Sequence, residues 1–241
     1  MKLITLEVCA NSAQSCIEAQ RGGAHRVELC AGIPEGGTTP SYAEIKTARK
    51  AVDIELNVII RPRGGDFLYS PLEVETMAED IRIAKSLGAD GVVFGCLRPD
   101  GTIDTSLCER LLKGCDGLST TFHRAFDVCH NPLTALEEII SLGFDRILTS
   151  GAKPTALEGK ELIRTLTERA EGRIKIMAGS GVNPTNIREL YDYTATREFH
   201  SSARHEIPSA MQYQNPELTF GDSLMVCSPD IVRELISKIT I

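Results

Sequence analysis

The chain's strongest constraint on its fold is a repeat. Eight short apolar, β-branched runs alternate with helical patterns along its 241 residues, roughly one pair per thirty residues. The runs fall at residues 3–9, 25–30, 54–61, 91–95, 119–124, 146–150, 173–178 and 198–201. Helical periodicity covers 12–21, a segment opening at Ser41 with Glu44 as a capping-box partner, 72–87, 105–113, 131–142, 157–168 and 230–238, with another start after Pro184. Asn131 and Pro132 supply an N-cap and a first-turn proline. Strands that alternate with helices must run parallel, and eight of them close on themselves. The expectation is an α/β chain: one TIM barrel, (β/α)₈, over residues 1–241 with a short extra C-terminal helix. A longer irregular stretch, 203–226, precedes that helix. An open doubly wound sheet is the alternative, but the first strand–helix turn lacks the GxGxxG fingerprint such sheets often carry.

A parallel barrel packs its outward strand face on helices, so the aliphatic residues mark that face. Ile4, Leu6 and Val8 then point outward, and Thr5, Glu7 and Cys9 inward. Val27 and Leu29 likewise leave Glu28 and Cys30 inward, while Leu56, Val58 and Ile60 leave Asn57, Ile59 and Arg61. His123 on the fifth run, with Glu198 and His200 on the eighth, also point inward; the fourth and sixth runs show no usable alternation. Glu7, Cys9, Glu28, Cys30, Arg61, His123 and His200 thus gather toward the C-terminal strand ends, where barrel enzymes place their chemistry. A carboxylate inside a strand is costly to bury unpaired. The bland account is that both glutamates pair with core arginines and both cysteines act as small core hydrophobes.

The loops at the same rim carry related chemistry. Arg61-Pro-Arg-Gly-Gly-Asp66 offers Arg61, Arg63 and Asp66 beside permissive glycines, a set suited to a small carboxylate or phosphate. Gly179-Ser180-Gly181 precedes a helix start and could offer amide N–H groups to an anion. His123 with Asp127 forms a candidate acid/base pair, or Asp127 simply holds Arg124. An enzyme acting on a small anionic or sugar-like metabolite is one reading, with Glu7, Glu28, His123, Asp127 and His200 as its catalytic candidates.

A net charge of −7 without a basic run disfavours nucleic acid and anionic membranes as partners. No apolar run is long enough to span a bilayer, and no signal-peptide pattern opens the chain. Eight cysteines without a CxxC pair are expected to stay as free thiols in the cytoplasm, and no organic cofactor is indicated.

Several runs resemble one family over nearly the whole chain: Glu7-Val-Cys9, Arg26-Val-Glu-Leu-Cys30, Gly36-Gly-Thr-Thr-Pro-Ser41, Arg61-Pro-Arg-Gly-Gly-Asp-Phe67, Gly88-Ala-Asp-Gly-Val-Val93, Thr121-Phe-His-Arg-Ala-Phe-Asp127, Arg146-Ile-Leu-Thr-Ser-Gly151 and Ile176-Met-Ala-Gly-Ser-Gly-Val182. These are similar to the CutC copper-homeostasis proteins. The resemblance implies a (β/α)₈ barrel, a cytoplasmic protein, a homodimer or larger homo-oligomer, and Cu(I) binding at the strand-end thiols Cys9 and Cys30. Ser180 stands where many relatives carry glycine, which weakens the anion-cradle reading of that turn.

Overall fold

A computed structural model describes residues 4–213, 215, 217–218 and 223–240. Eight parallel strands hydrogen-bond in sequence order and the eighth returns to the first, closing the barrel. They are β1 (Thr5–Ala10), β2 (Arg26–Leu29), β3 (Glu55–Ile59), β4 (Gly91–Phe94), β5 (Ser119–Phe122), β6 (Arg146–Thr149), β7 (Lys175–Ala178) and β8 (Glu198–Ser201). Between them run α1 (Ala13–Gly22), α2 (Tyr42–Ala51), α3 (Pro71–Ser86), α4 (Thr105–Leu112), α5 (Pro132–Leu142), α6 (Lys160–Ala170) and α7 (Ile187–Thr194). The terminal helix α8 (Pro229–Ile239) is present where the sequence predicts it. It packs between α7 and α1, so it is the eighth member of the outer ring and not an addition to it.

The helix starts follow local chemistry. Ser70 and Glu73 close a reciprocal capping box on α3, and Asn131 caps α5 by accepting from the amides of Leu133 and Thr134. Ser41 accepts from the Glu44 amide, but the Glu44 carboxylate turns away to accept from the Ala13 amide, so that box is half-made.

Outward strand residues form the main core. Leu6, Val8, Val27, Leu29, Leu56, Val58, Val92, Phe94, Phe122, Ile147 and Phe199 are buried between sheet and helices. Burying each of the larger ones contributes about 1.5–3 kcal/mol. A smaller apolar cluster of Cys30, Ile59 and Val93 lies inside the barrel.

The stretch 203–226 is not irregular throughout. Arg204–Pro208 (β9) and Ser223–Cys227 (β10) pair as an antiparallel hairpin from Arg204↔Cys227 to Pro208↔Ser223. The intervening residues 214, 216 and 219–222 lie outside those described. Half-exposed Leu224 and Met225 have no buried face to mark, so the period-2 signal is too faint to read in the sequence. The hairpin is tied to the barrel by Asn11, whose side-chain amide donates to the Met225 carbonyl, and by the Ser228 amide donating to the Ala203 carbonyl. Among the described residues no helix is long and apolar enough to cross a membrane.

Candidate metal and ligand site at the barrel mouth

The barrel interior below the mouth is filled by charge. Arg26, almost fully buried, donates from Nε to Glu7 and from Nη2 to Glu198 at 2.7 Å. Arg146 donates to the same Glu198 oxygen at 3.1 Å and to the Ser119 and Thr121 hydroxyls. Asn57 donates to Glu7 at 3.3 Å. Burial opposes ionisation of Glu7, but Arg26 and His200 outweigh it and hold its carboxyl far below the usual range. Glu7 is therefore paired with a core arginine, as in the bland account of the sequence. The same carboxylate also acts toward the mouth. Its Oε1 accepts from His200 Nδ1 at 2.8 Å, which fixes the imidazole and brings its Nε2 3.6 Å from Glu28.

Above this layer opens a cavity of about 170 Å³. Cys9 and Cys30 lie in its floor with Sγ atoms 3.2 Å apart. That is beyond a disulfide bond and short enough for one thiol to donate to the other. Donation from Cys30 pulls the Cys9 thiol well below its ordinary range, with His200 helping against burial. The same contact and burial push Cys30 up. Burial drives the Cys16, Cys115 and Cys227 thiols up to about 12, which leaves them inert. Burial also raises Glu28 to about 8, so its carboxyl is largely neutral near pH 7.

The second wall comes from the loops. Gly36 and Gly37 adopt φ of 86° and 94° and let the chain after β2 fold across the mouth. Arg61, buried at 3% exposure, donates to the carbonyls of Glu35, Gly37 and Gly65. Phe67 lies 4.9 Å from the Arg61 guanidinium and 4.9 Å from the His123 ring. His123 Nδ1 accepts from the Ala125 amide. Burial and then Arg61 depress the His123 imidazole to about 3, so it stays neutral.

The cavity wall thus gathers Cys9, Glu28, Cys30, Arg61, His123 and His200, with Glu7 directly behind. The other candidates lie elsewhere. Arg63 turns outward to Glu73 and Asp66, and Asp66 is exposed. Asp127 accepts from the Thr149 hydroxyl, the amides of Ser150 and Ala152, and Arg124, latching the loop after β6. In the turn after β7, the Gly179 amide donates to the Thr149 carbonyl and the Ser180 hydroxyl to the Pro154 carbonyl. Neither this turn nor Gly181 lines the cavity. Gly179 does matter sterically, since a Cβ there would sit 2.5 Å from Leu148 and 3.2 Å from His200.

Sequence reasoning passed over Arg26, Arg146 and Arg204. Arg26 was legible, because it stands two residues before Glu28 and so shares its inward face. Arg204 enters the cavity wall from β9, a strand the sequence does not announce.

The donor set suits a soft metal. Two thiols side by side favour Cu(I), Zn(II) or iron–sulfur chemistry over hard cations. The third donor, a carboxyl oxygen of the neutralised Glu28, lies within 4.8 Å of both sulfurs.

The CutC family profile matches residues 4–205. A CutC family protein of Bacteroides thetaiotaomicron is 57% identical over 227 residues, covering 94% of this chain and 91% of that one. The human copper homeostasis protein cutC homolog is 50% identical over 219 residues, 91% of this chain and 80% of its own. A CutC crystal structure from Streptococcus agalactiae superposes with a TM-score of 0.80 at 37% identity, covering 83% of this chain and 99% of that one. With the profile over residues 4–205, relatives at 50–57% identity over more than nine-tenths of the chain and a shared barrel in agreement, this chain belongs to the CutC family.

Proposed function

We propose that the chain binds Cu(I) through Cys9 and Cys30 as part of copper homeostasis. The observation that carries the reading is the pair of thiols 3.2 Å apart in the floor of an open mouth. The names of the human and mouse relatives support copper homeostasis as the setting. Two thiolates and one Cu(I) sum to a single negative charge. His200, held by Glu7 with its imidazole pushed well above its ordinary range, offsets that charge next to the sulfurs. Glu7 in turn is braced by Arg26, so the interior ion pairs position the residue that balances the metal site. Coordination requires both thiols as thiolates, so binding releases the Cys30 proton. The protein is cytoplasmic in this reading and works as a homo-oligomer.

Cu(I) is titrated into reduced protein against a competing chelator. Wild type is expected to take one equivalent, and Cys9→Ser/Cys30→Ser to lose at least roughly a hundredfold in affinity, about 2.7 kcal/mol. Unchanged affinity in the double variant would end the reading.

A further inference from the structure

The cavity has a second wall for which copper has no use. Arg61 is buried, and among the described residues no carboxylate pairs with it; its partners are three backbone carbonyls. Its side chain also lies against the buried Tyr69 hydroxyl, and Nε2 of His123, which is 4% exposed, has no hydrogen-bond partner among the described residues. His123 Nδ1 accepts from the Ala125 amide, so in the neutral ring Nε2 carries the hydrogen. A guanidinium without a carboxylate partner and one unmet N–H donor thus sit on residues that line one cavity. Unpaired buried charge and unmet buried donors each cost free energy that a ligand would recover. Arg204 adds a second guanidinium to the wall, with no ion-pair partner among the described residues.

We infer that the mouth binds a small aliphatic carboxylate, held against the side chains of Arg61, Arg204 and His123 in the cavity wall. Phe67 packs on both Arg61 and His123, and Ile33, Ile59 and Leu148 line another part of the wall, a setting for a short hydrocarbon body. The cavity volume of about 170 Å³ bounds its size. An apolar protein cavity of about 150 Å³ holds one benzene, so the ligand has on the order of six carbons or fewer. Phosphate fits less well. Its larger charge is best met where backbone amides join the arginines, and the turn after β7 that could have offered them lies outside the cavity wall, with the Gly179 amide spent on the Thr149 carbonyl. The neutral, buried His123 serves as a fixed donor and not as a further cation.

The test is calorimetry and thermal unfolding of the full chain with butyrate, 2-oxobutyrate and 2-hydroxybutyrate, against butyramide and inorganic phosphate. Ligands that bind only the native state raise its unfolding temperature. The carboxylates are expected to stabilise the protein and the two controls to leave it unchanged. His123→Phe keeps a ring against Phe67 but removes the donor, and is expected to weaken carboxylate binding at least roughly tenfold. The His123 Nε2–H proton resonance of the wild type, shifting on carboxylate addition, gives the same answer should that variant misfold. Cys9→Ser/Cys30→Ser is expected to keep carboxylate binding while losing Cu(I), so the two sites can fail separately. Carboxylates without effect, equal stabilisation by phosphate or butyramide, or binding undiminished in His123→Phe with an unmoved resonance would each overturn the inference.

Discussion

At the scale of single residues, Glu28 is the clearest place where the mouth is held at a cost to stability. Burial lifts its carboxyl from an ordinary 4.5 to about 8 in the folded protein. A raised folded value contributes stability that is fully present below 4.5 and is lost as pH rises through 8, because the unfolded chain ionises first. Glu28→Gln removes that slope. In urea unfolding, the variant is expected to gain on wild type between pH 4.5 and pH 8 by on the order of a few kcal/mol. A constant difference across that window would show that Glu28 ionises normally. Glu28 and Cys30 could be placed facing inward from the sequence, because a strict period of two with aliphatic outward residues leaves only one assignment. The partners were harder to see. Arg26 shares that period yet lies at the opposite end of the strand from the mouth, and what it pairs with depends on β8, far away in the chain.

The elements differ in how openly the sequence states them. The eight barrel strands were legible because each buries an aliphatic face. β4 and β6 place apolar residues at adjacent positions, Val92-Val93-Phe94 and Ile147-Leu148, so neither strand shows alternation and the inward placement of Val93, Arg146 and Leu148 stayed hidden. Loops carry function here, and their shape rests on a few backbone positions. The loop after β2 reaches over the mouth through Gly37, where φ is 94° and an added Cβ would lie 3.1 Å from Ile59 and 3.6 Å from Cys30. Left-handed backbone costs an L-residue about 1–2 kcal/mol. Gly37→Ala is therefore expected to lose about that much stability and to weaken Cu(I) binding, because the shifted loop presses on Cys30. Gly117 makes the control, since its φ is 78° but nothing lies within 4 Å of an added Cβ. Gly117→Ala should show a similar loss in urea unfolding with Cu(I) titration unchanged. Equal effects of both on Cu(I) would detach Gly37 from the site.

Across the whole molecule, the barrel is stitched from the inside by ions as well as from the outside by aliphatic packing. Arg26 on β2 reaches Glu7 on β1, Glu198 on β8 and, at 3.6 Å, Glu55 on β3, so one side chain bridges the seam where the barrel closes. Removing one partner from a buried ion pair costs about 3–5 kcal/mol, because the other charge is left in a dry interior. Arg26→Met keeps most of the bulk and strips the charge. Glu198 retains Arg146, whereas Glu7 retains only Asn57 and His200. The penalty therefore falls mainly on Glu7, whose folded carboxyl is depressed in the intact protein, so its contribution is present above 4.5 and fades as pH falls below it. Urea unfolding of Arg26→Met should show a loss of about 3–5 kcal/mol at neutral pH that shrinks progressively as pH is lowered past 4.5. The same variant leaves Glu7 without its brace and lets it swing toward His200, so Cu(I) affinity should drop although no ligand has been touched. A pH-independent penalty, or one confined to stability with Cu(I) binding intact, would mean that the interior charges close the barrel without shaping its mouth.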